Sequence, residues 1–225
     1  VKKMGDYKLH SNLAKDWNVN ENMTEFTFNL RKGIKWSDGE PYTTEDILFW
    51  YKDIIMNDEI TPTKPAWSKG AEVKAIDDYT VKFIFEKPRS TFLTNVYQIK
   101  WGQAAIHRAP KHYMKKFHVD YEEKEKLQER VEEAGVESWY QLFSKKLDPR
   151  RNPEFPVLHA WKLTTKPQEE VQVFKRNPYY FKVDTEGNQL PYIDKINFRK
   201  IKDDEVRTMK MIAGQTDLEV STNTD

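Results

Sequence analysis

The chain has 225 residues, with 37 Lys or Arg against 36 Asp or Glu, 12 Phe, 11 Tyr, 7 Trp and no Cys. This apolar content with a net charge of only +1 excludes a disordered chain, and the balanced charge argues against nucleic acid as a partner, because polyanion binding needs excess cations on one face. The lack of Cys excludes disulfides, thiolate zinc sites and a cysteine nucleophile.

The first part of the chain predicts a strand, a turn and a helix. Polar and apolar residues alternate over residues 25–30, which is typical of a strand with one buried face. The Asp-Gly pair at 38–39 signals a turn. Thr43 can cap a helix, and the carboxylate of Asp46 three residues later would lie near the first free amides. The apolar spacing of residues 47–55 then predicts an amphipathic helix.

The middle of the chain predicts a loop, a hairpin and two helices. Residues 57–69 contain two prolines and several polar residues, which favours a loop. Residues 73–85 alternate on both sides of an Asp-Asp pair, which predicts two strands joined by a short acidic turn. An acidic helix over residues 121–134 should end at Gly135, and a second short helix carries the apolar stripe of residues 136–143.

The run of proline and charge over residues 145–156 is the best internal boundary. Beyond it, alternation predicts strands near residues 171–173 and 196–198. A last helix over residues 206–213 can end at Gly214. The whole pattern indicates an α+β fold.

A search for catalytic groups favours a protein that is not an enzyme. None of the five histidines has the paired spacing with a helical Glu that binds zinc, so each is interpreted as solvated or satisfied in the core: His10, His107, His112, His118 and His159. The chain contains neither a nucleophile elbow nor a glycine-rich phosphate loop, and it has only 8 Gly. The sequence therefore predicts no metal and no cofactor.

Two tryptophans are candidate ligand contacts. Trp67 and Trp101 fall in irregular segments, where a ring is available to stack on a sugar face or to clamp a side chain. Tyr97 and Gln103 flank Trp101 and could supply polar groups to such a pocket. Packing in the core remains the favoured interpretation of Trp67 and Trp101, and it is the default for the tryptophans on apolar stripes.

Several blocks of the sequence resemble one family. They occur in the family's order, and they are Leu13–Trp17, Glu25–Ile47, Val73–Val81, Arg176–Tyr180, Gln189–Ile196 and Ala213–Asp217. This set resembles the family 5 extracellular solute-binding proteins, the oligopeptide- and dipeptide-binding components of ABC importers. The blocks together span most of the chain.

The resemblance implies a fold and an organisation. We expect part of a class II fold of the periplasmic-binding-protein type, with residues 1–149 as the family's additional α+β subdomain and residues 150–225 as part of the first ligand-binding lobe. The second lobe and the secretion signal would lie outside this sequence. The implied location is the periplasm or the cell surface.

The resemblance also implies a function. Such a protein, expected to be a monomer, captures an oligopeptide by hinge closure and delivers it to a membrane permease. The chain after Ala213–Asp217 would run toward the cleft, which makes Glu219 and Ser221 further contact candidates. Residues 118–156 and Asp184–Leu190 resemble a branch of the family in which some members bind oligosaccharides. An oligosaccharide ligand, or a sensor or chaperone on the same fold, therefore remains as an alternative.

Overall fold

The computed structural model describes residues 2–3, 9–94 and 109–219, which form a mixture of helices and antiparallel sheets. The strands are β1 Lys2–Lys3, β2 Leu9–His10, β3 Ala14–Val19, β4 Glu25–Leu30, β5 Ala71–Asp77, β6 Thr80–Phe85, β7 Trp161–Leu163, β8 Val171–Arg176 and β9 Lys195–Arg199. The α-helices are α1 Thr44–Phe49, α2 Lys111–Met114, α3 Lys124–Glu133, α4 Trp139–Lys146 and α5 Asp204–Ile212. A π-helix spans Trp50–Ile55, and 3₁₀ turns span Ala66–Ser68 and Lys115–Phe117.

A four-stranded antiparallel sheet in the order β3-β4-β6-β5 supports the first part of the chain. The predicted strand at residues 25–30 and the predicted hairpin at residues 73–85 are confirmed as β4 and as β5 with β6. Both inner strands bury every second residue, as a sheet with one covered face requires. The sequence does not predict edge strand β3, because only Ala14 of its six residues is buried and its side chains show no apolar alternation.

The helix that covers this sheet begins as predicted and continues differently. Thr43 is its N-cap, and Thr43 and Asp46 form a reciprocal capping box. After Phe49 the helix widens into the π-helix, where Ile54 and Ile55 are completely buried. The spacing of the apolar residues therefore predicted correctly which side chains are buried. It did not predict the change from α-helix to π-helix, because the apolar spacing carries no signal of the helix type.

The ring of Phe92 lies at the centre of the aromatic packing. Its centroid is 4.8 Å from that of Phe26, 4.8 Å from that of Phe85 and 5.2 Å from that of Phe83. These separations are those of favourable edge-on and tilted aromatic pairs. Phe92 thus packs against the buried faces of the two inner strands.

The buried core continues into α3 and α4 and extends past the predicted boundary. Gly135, with φ +63°, ends α3, and Ser138 caps α4 through a hydrogen bond to the backbone of Gln141. The same buried cluster includes Phe155, Val157 and Leu158. The division of the chain at residues 149 and 150 stays a prediction.

Residues 159–219 are organised differently, around the antiparallel sheet β7-β8-β9 and α5. Asp203 caps α5, and Gly214, with φ +66°, follows its last turn, so the predicted last helix is confirmed. None of the residues of α5 is buried. This part of the molecule is therefore a sheet and a helix without a covered core of their own.

Candidate functional site

The structure describes two of the six residues predicted to contact a ligand. Tyr97, Trp101, Gln103 and Ser221 lie outside the described residues. Trp67 and Glu219 lie inside them, and each has a defined environment.

Trp67 lies in the 3₁₀ turn Ala66–Ser68 and points into the core, with 6% of its surface exposed. Its ring stacks on Trp50 at a centroid separation of 5.5 Å and an interplanar angle of 14°, and Phe92 lies 5.9 Å away. Its Nε1 is buried without a hydrogen-bond partner. The residue packs between helix and sheet, and its contact with a ligand stays a prediction.

Glu219 lies beyond α5 and pairs with it. Its Oε1 is 2.5 Å from Nε of Arg207, whose Nη2 is 2.8 Å from Oδ1 of Asp204. This ion pair holds the chain after α5 back against the helix. The structure does not bring Glu219 and Trp67 together, and a role for Glu219 in ligand contact also stays a prediction.

The most elaborate polar arrangement is centred on the buried carboxylate of Asp46, which is 4% exposed. Oδ2 accepts hydrogen bonds from Nε1 of Trp36 at 3.2 Å and from the backbone N–H of Thr43 at 3.1 Å. Oδ1 accepts one from the backbone N–H of Lys111 at 2.9 Å. Burial raises the pKa of Asp46, and these three donors and nearby His112 act in the opposite direction. The arrangement ties α1 to α2.

Two further pairs connect the same elements near the surface. His112 Nε2 lies 2.8 Å from Oδ2 of Asp38, in the predicted Asp-Gly turn. The ammonium group of Lys111 pairs with the carboxylate of Glu45. His112 is thus a hydrogen-bond partner of the turn.

Asp53, His118 and Asp120 approach one another closely enough to consider a metal site, with one ligand atom of each within 4.8 Å of the others. His118 is completely buried, and both of its ring nitrogens already have partners. Nδ1 accepts a hydrogen bond from the backbone N–H of Asp120 at 3.2 Å, and Nε2 donates to the backbone carbonyl of Asp53 at 3.1 Å. Because both ring nitrogens are used in hydrogen bonds, His118 is satisfied in the core, which is one of the two environments that the sequence allowed for it.

The two parts of the molecule meet where the chain crosses from one to the other. Ser37 and Val157 exchange two hydrogen bonds of 3.0 Å, one of them through the Ser37 hydroxyl. The buried side chain of Asn177 donates through Nδ2 to the carbonyl oxygens of Val157 and His159 at 3.3 and 3.0 Å. The signature motifs at residues 36–39 and 176–180 thus meet at this crossing.

The turn itself is covered by Tyr179. Gly39 has φ +96°, and a Cβ at this position would lie 3.2 Å from the hydroxyl oxygen of Tyr179. Lys35 Nζ lies 5.5 Å from the centre of the same ring. A residue with a side chain at position 39 would therefore meet both an unfavourable backbone conformation and a neighbouring ring.

Many large apolar side chains in the second part of the molecule are exposed. We call the following set the apolar face: Val183, Tyr192, Ile193, Phe198, Val206, Met209, Met211, Ile212 and Leu218. Ile212 is 82% exposed and Leu218 is 78% exposed.

The chain matches the description "Bacterial extracellular solute-binding proteins, family 5 Middle" over residues 8–225. The periplasmic alpha-galactoside-binding protein of Rhizobium meliloti (strain 1021) is 30% identical over 213 residues, which cover 92% of this chain and 28% of that protein. The dipeptide-binding protein of Escherichia coli (strain K12) is 29% identical over 112 residues, which cover 42% of this chain and 21% of that protein.

Solved structures agree with the sequence matches. An oligopeptide-binding protein OppA has a TM-score of 0.83 and 47% identity, covering 92% of this chain and 32% of its own. The periplasmic binding protein MelB from Agrobacterium fabrum C58, solved in complex with stachyose, has a TM-score of 0.68 and 30% identity, covering 90% of this chain and 28% of its own. The chain thus spans less than a third of the length of each of these relatives.

These neighbours confirm the expected mixed architecture of a class II periplasmic binding protein. Within the described residues, every helix is too short or too polar to cross a lipid bilayer. Because the family match covers almost the whole sequence, the chain belongs to family 5 of the bacterial extracellular solute-binding proteins.

Proposed function

We propose that this chain is part of the solute-binding component of an ABC importer and that the solute is an oligopeptide. The observation that carries the proposal is the match to OppA, with 47% identity over 92% of this chain. Capture rather than conversion fits the polar groups in the described residues. The carboxylate of Asp46 and the ring of His118 are both used in hydrogen bonds that hold the fold together.

The proposed mechanism is hinge closure. The solute enters a cleft between two lobes, closure buries it, and the closed protein docks on a membrane permease outside the cytoplasm. The chain covers 32% of the length of OppA, so most of the cleft would come from the rest of the protein. We expect the complete protein to act as a monomer.

The proposed division of the chain into a subdomain and part of a lobe can be compared with the distribution of buried residues. Residues 1–149 would be the additional subdomain, and residues 150–225 would be part of the first lobe. The contrast between the two parts supports a change of organisation after the core cluster, which continues through Phe155, Val157 and Leu158, whereas α5 buries none of its residues. The apolar face would then pack against lobe segments outside this sequence.

An oligosaccharide is the second candidate solute. The alpha-galactoside-binding relative aligns over 92% of this chain, whereas the dipeptide-binding relative aligns over 42%. MelB, the neighbour solved with stachyose, covers 90% of the chain. The resemblance of residues 118–156 to a branch with oligosaccharide-binding members supports the same candidate.

The six contact candidates stay part of the proposal: Trp67, Tyr97, Trp101, Gln103, Glu219 and Ser221. Trp101→Ala in the complete protein should weaken solute binding without changing stability. Trp67→Phe should lower stability because it disturbs the stack on Trp50, with little effect on solute affinity. The two substitutions therefore separate a ligand contact from a core contact.

Isothermal titration of the complete protein with defined tri- and tetrapeptides and with stachyose tests the proposal. Binding of peptides alone supports the first candidate, and binding of stachyose alone replaces it with the second. Failure of a folded protein to bind either class would contradict both.

A further inference from the structure

The Asp38-Gly39 pair is the one place in the 225 residues where glycine follows an aspartate or an asparagine. Such a pair is chemically labile in peptides, because glycine has no side chain to shield its backbone nitrogen from the neighbouring carboxyl group. Position 39 nevertheless favours glycine, since its φ is +96° and a Cβ there would lie 3.2 Å from the hydroxyl oxygen of Tyr179. The fold therefore keeps a reactive pair of residues in a fixed turn.

The reaction open to this pair is isomerisation through a succinimide. The backbone nitrogen of Gly39 attacks Cγ of Asp38, a C–N bond forms, and a carboxyl oxygen leaves as water with the amide proton and a proton from solvent. Water from the solvent then opens the ring at either carbonyl carbon. Opening at Cγ restores aspartate, whereas opening at the backbone carbonyl gives isoaspartate, in which the chain continues through Cγ. One water is lost and one is gained, so the reaction needs neither an oxidant nor a reductant.

The turn engages both reacting groups in hydrogen bonds. The backbone N–H of Gly39 donates to the carbonyl of Trp36 at 2.9 Å, and this bond is broken when the nitrogen loses its proton during attack. The carboxylate of Asp38 accepts at Oδ2 from Nε2 of His112 at 2.8 Å and at Oδ1 from the backbone N–H of Glu40 at 3.4 Å. Cyclisation therefore requires the release of both groups from their partners.

The first turn of α2 places His112 beside the Asp38 carboxylate. The His112 side chain is 27% exposed, and its ring packs edge-on against Trp36 at a centroid separation of 6.3 Å. The preceding residue, Lys111, ties α2 to α1 through its backbone bond to Asp46 at 2.9 Å. Removal of the imidazole group should therefore release the Asp38 carboxylate without detaching α2.

We propose that Asp38 is a site of isoaspartate formation and that His112 protects it in the folded protein. Succinimide formation requires the carboxyl carbon of Asp38 to rotate toward the backbone nitrogen of Gly39. The hydrogen bond from His112 restrains that rotation. The proposal concerns the turn alone, so it does not depend on which solute the protein binds.

Isomerisation at this position would affect the place where the two parts of the molecule meet. Isoaspartate inserts one additional carbon atom into the backbone of the turn. Ser37, on one side of Asp38, exchanges two hydrogen bonds of 3.0 Å with Val157, and Gly39, on the other side, lies under Tyr179. A longer turn displaces one of these residues from its partner, so the converted protein should unfold at a lower temperature.

The test measures the rate of conversion in the complete protein, incubated in ¹⁸O-labelled water at neutral pH. Hydrolysis of the succinimide places one ¹⁸O atom in residue 38. After digestion in unlabelled water, the tryptic peptide of residues 36–52 carries this label, and electron-transfer fragmentation distinguishes isoaspartate from aspartate. A synthetic peptide of residues 35–41 gives the rate without a fold, and it should convert at least about tenfold faster than the folded protein.

Three variants separate the effect of His112 from the stability of α2. His112→Leu removes the hydrogen bond but keeps bulk against Trp36, and it should raise the rate about tenfold, as expected when a hydrogen bond to a charged group is lost. His112→Gln keeps a donor and should restore most of the protection. Lys111→Ala, the matched control, removes the ion pair with Glu45 from the same helix and should convert at the unmodified rate.

Two results would overturn the proposal. Equal rates in His112→Leu and Lys111→Ala would assign the protection to α2 as a whole, and a folded protein that converts as fast as the peptide would show that the turn gives no protection. If His112→Leu is thermally destabilised, His112→Asn takes its place, because its polar side chain is one methylene shorter than that of His112→Gln. Equal rates in these two variants would contradict a protecting hydrogen bond.

Discussion

Lys111 lies 65 residues beyond Asp46, and its backbone N–H donates a hydrogen bond of 2.9 Å to the buried carboxylate of that residue. The bond joins the start of α2 to the first turn of α1. Asp46 serves as the acidic residue of a capping box and as a long-range tie at once, so its substitution should disturb both.

Asp46→Asn should lower the free energy of unfolding by about 2 kcal/mol, because an amide has one acceptor oxygen and leaves a buried donor unpaired. The matched control is Glu45→Gln, which weakens an exposed ion pair with Lys111 and should cost less than about 1 kcal/mol. Urea unfolding followed by tryptophan fluorescence measures both. If the two variants lose similar free energies of unfolding, the buried hydrogen bonds of Asp46 contribute no more than an exposed ion pair does.

His118→Phe should lower the free energy of unfolding by about 2–4 kcal/mol, because it leaves the carbonyl of Asp53 and the N–H of Asp120 without partners in the core. His118→Gln keeps a donor and an acceptor and should cost clearly less. Thermal unfolding by circular dichroism compares the two. A His118→Phe protein as stable as the Gln variant would show that these hydrogen bonds contribute little.

Gly39→Ala should destabilise the protein more than Gly33→Ala does. Both glycines have positive φ, +96° and +83°, but only a Cβ at position 39 meets a neighbouring side chain. The backbone conformation should cost about 1–2 kcal/mol at each position. The additional loss at position 39, about 0.5–1 kcal/mol, should disappear in a Tyr179→Phe background, where the close hydroxyl is absent. Chemical unfolding of the unmodified protein, Gly39→Ala, Tyr179→Phe and the double variant measures the coupling energy between positions 39 and 179.

Asp184 should titrate well below an ordinary aspartate. Hydrogen bonds from Tyr192 and Asn188 lower its pKa to about 2, from the ordinary value of 3.8. Because the folded pKa is the lower one, the stability that Asp184 supplies is fully present above about pH 4 and is lost as pH falls through about 2. A carboxyl ¹³C titration measures the pKa, and Tyr192→Phe should raise it toward the ordinary value. An unchanged pKa in this variant would refute the role of the tyrosine hydroxyl.

Local rules accounted for much of the fold. The cap at Thr43, the acidic hairpin turn and the helix ends at Gly135 and Gly214 each depend on neighbours within a few residues, and the structure has all of them. The edge strand β3 was missed because solvent-facing residues do not need to alternate. The π-helix was missed because burial and helix type are independent.

The candidate site was harder to predict. Trp67 lies in an irregular segment, which favoured exposure, yet the 3₁₀ turn directs its ring onto Trp50. One partner of each buried polar group is 65 residues away in sequence, namely Lys111 for Asp46 and Asp53 for His118, and no local pattern indicates these two contacts. Proximity of His112 to Asp38 likewise depends on how α2 crosses the turn.

The apolar face has a practical consequence for work with this chain alone. Ile212 and Leu218 are at least 78% exposed in the part of the chain that the structure describes. Copies of the piece should associate with one another in a concentration-dependent manner even if the complete protein is a monomer. Sedimentation velocity over a range of concentrations should show this association, and Ile212→Glu should reduce it.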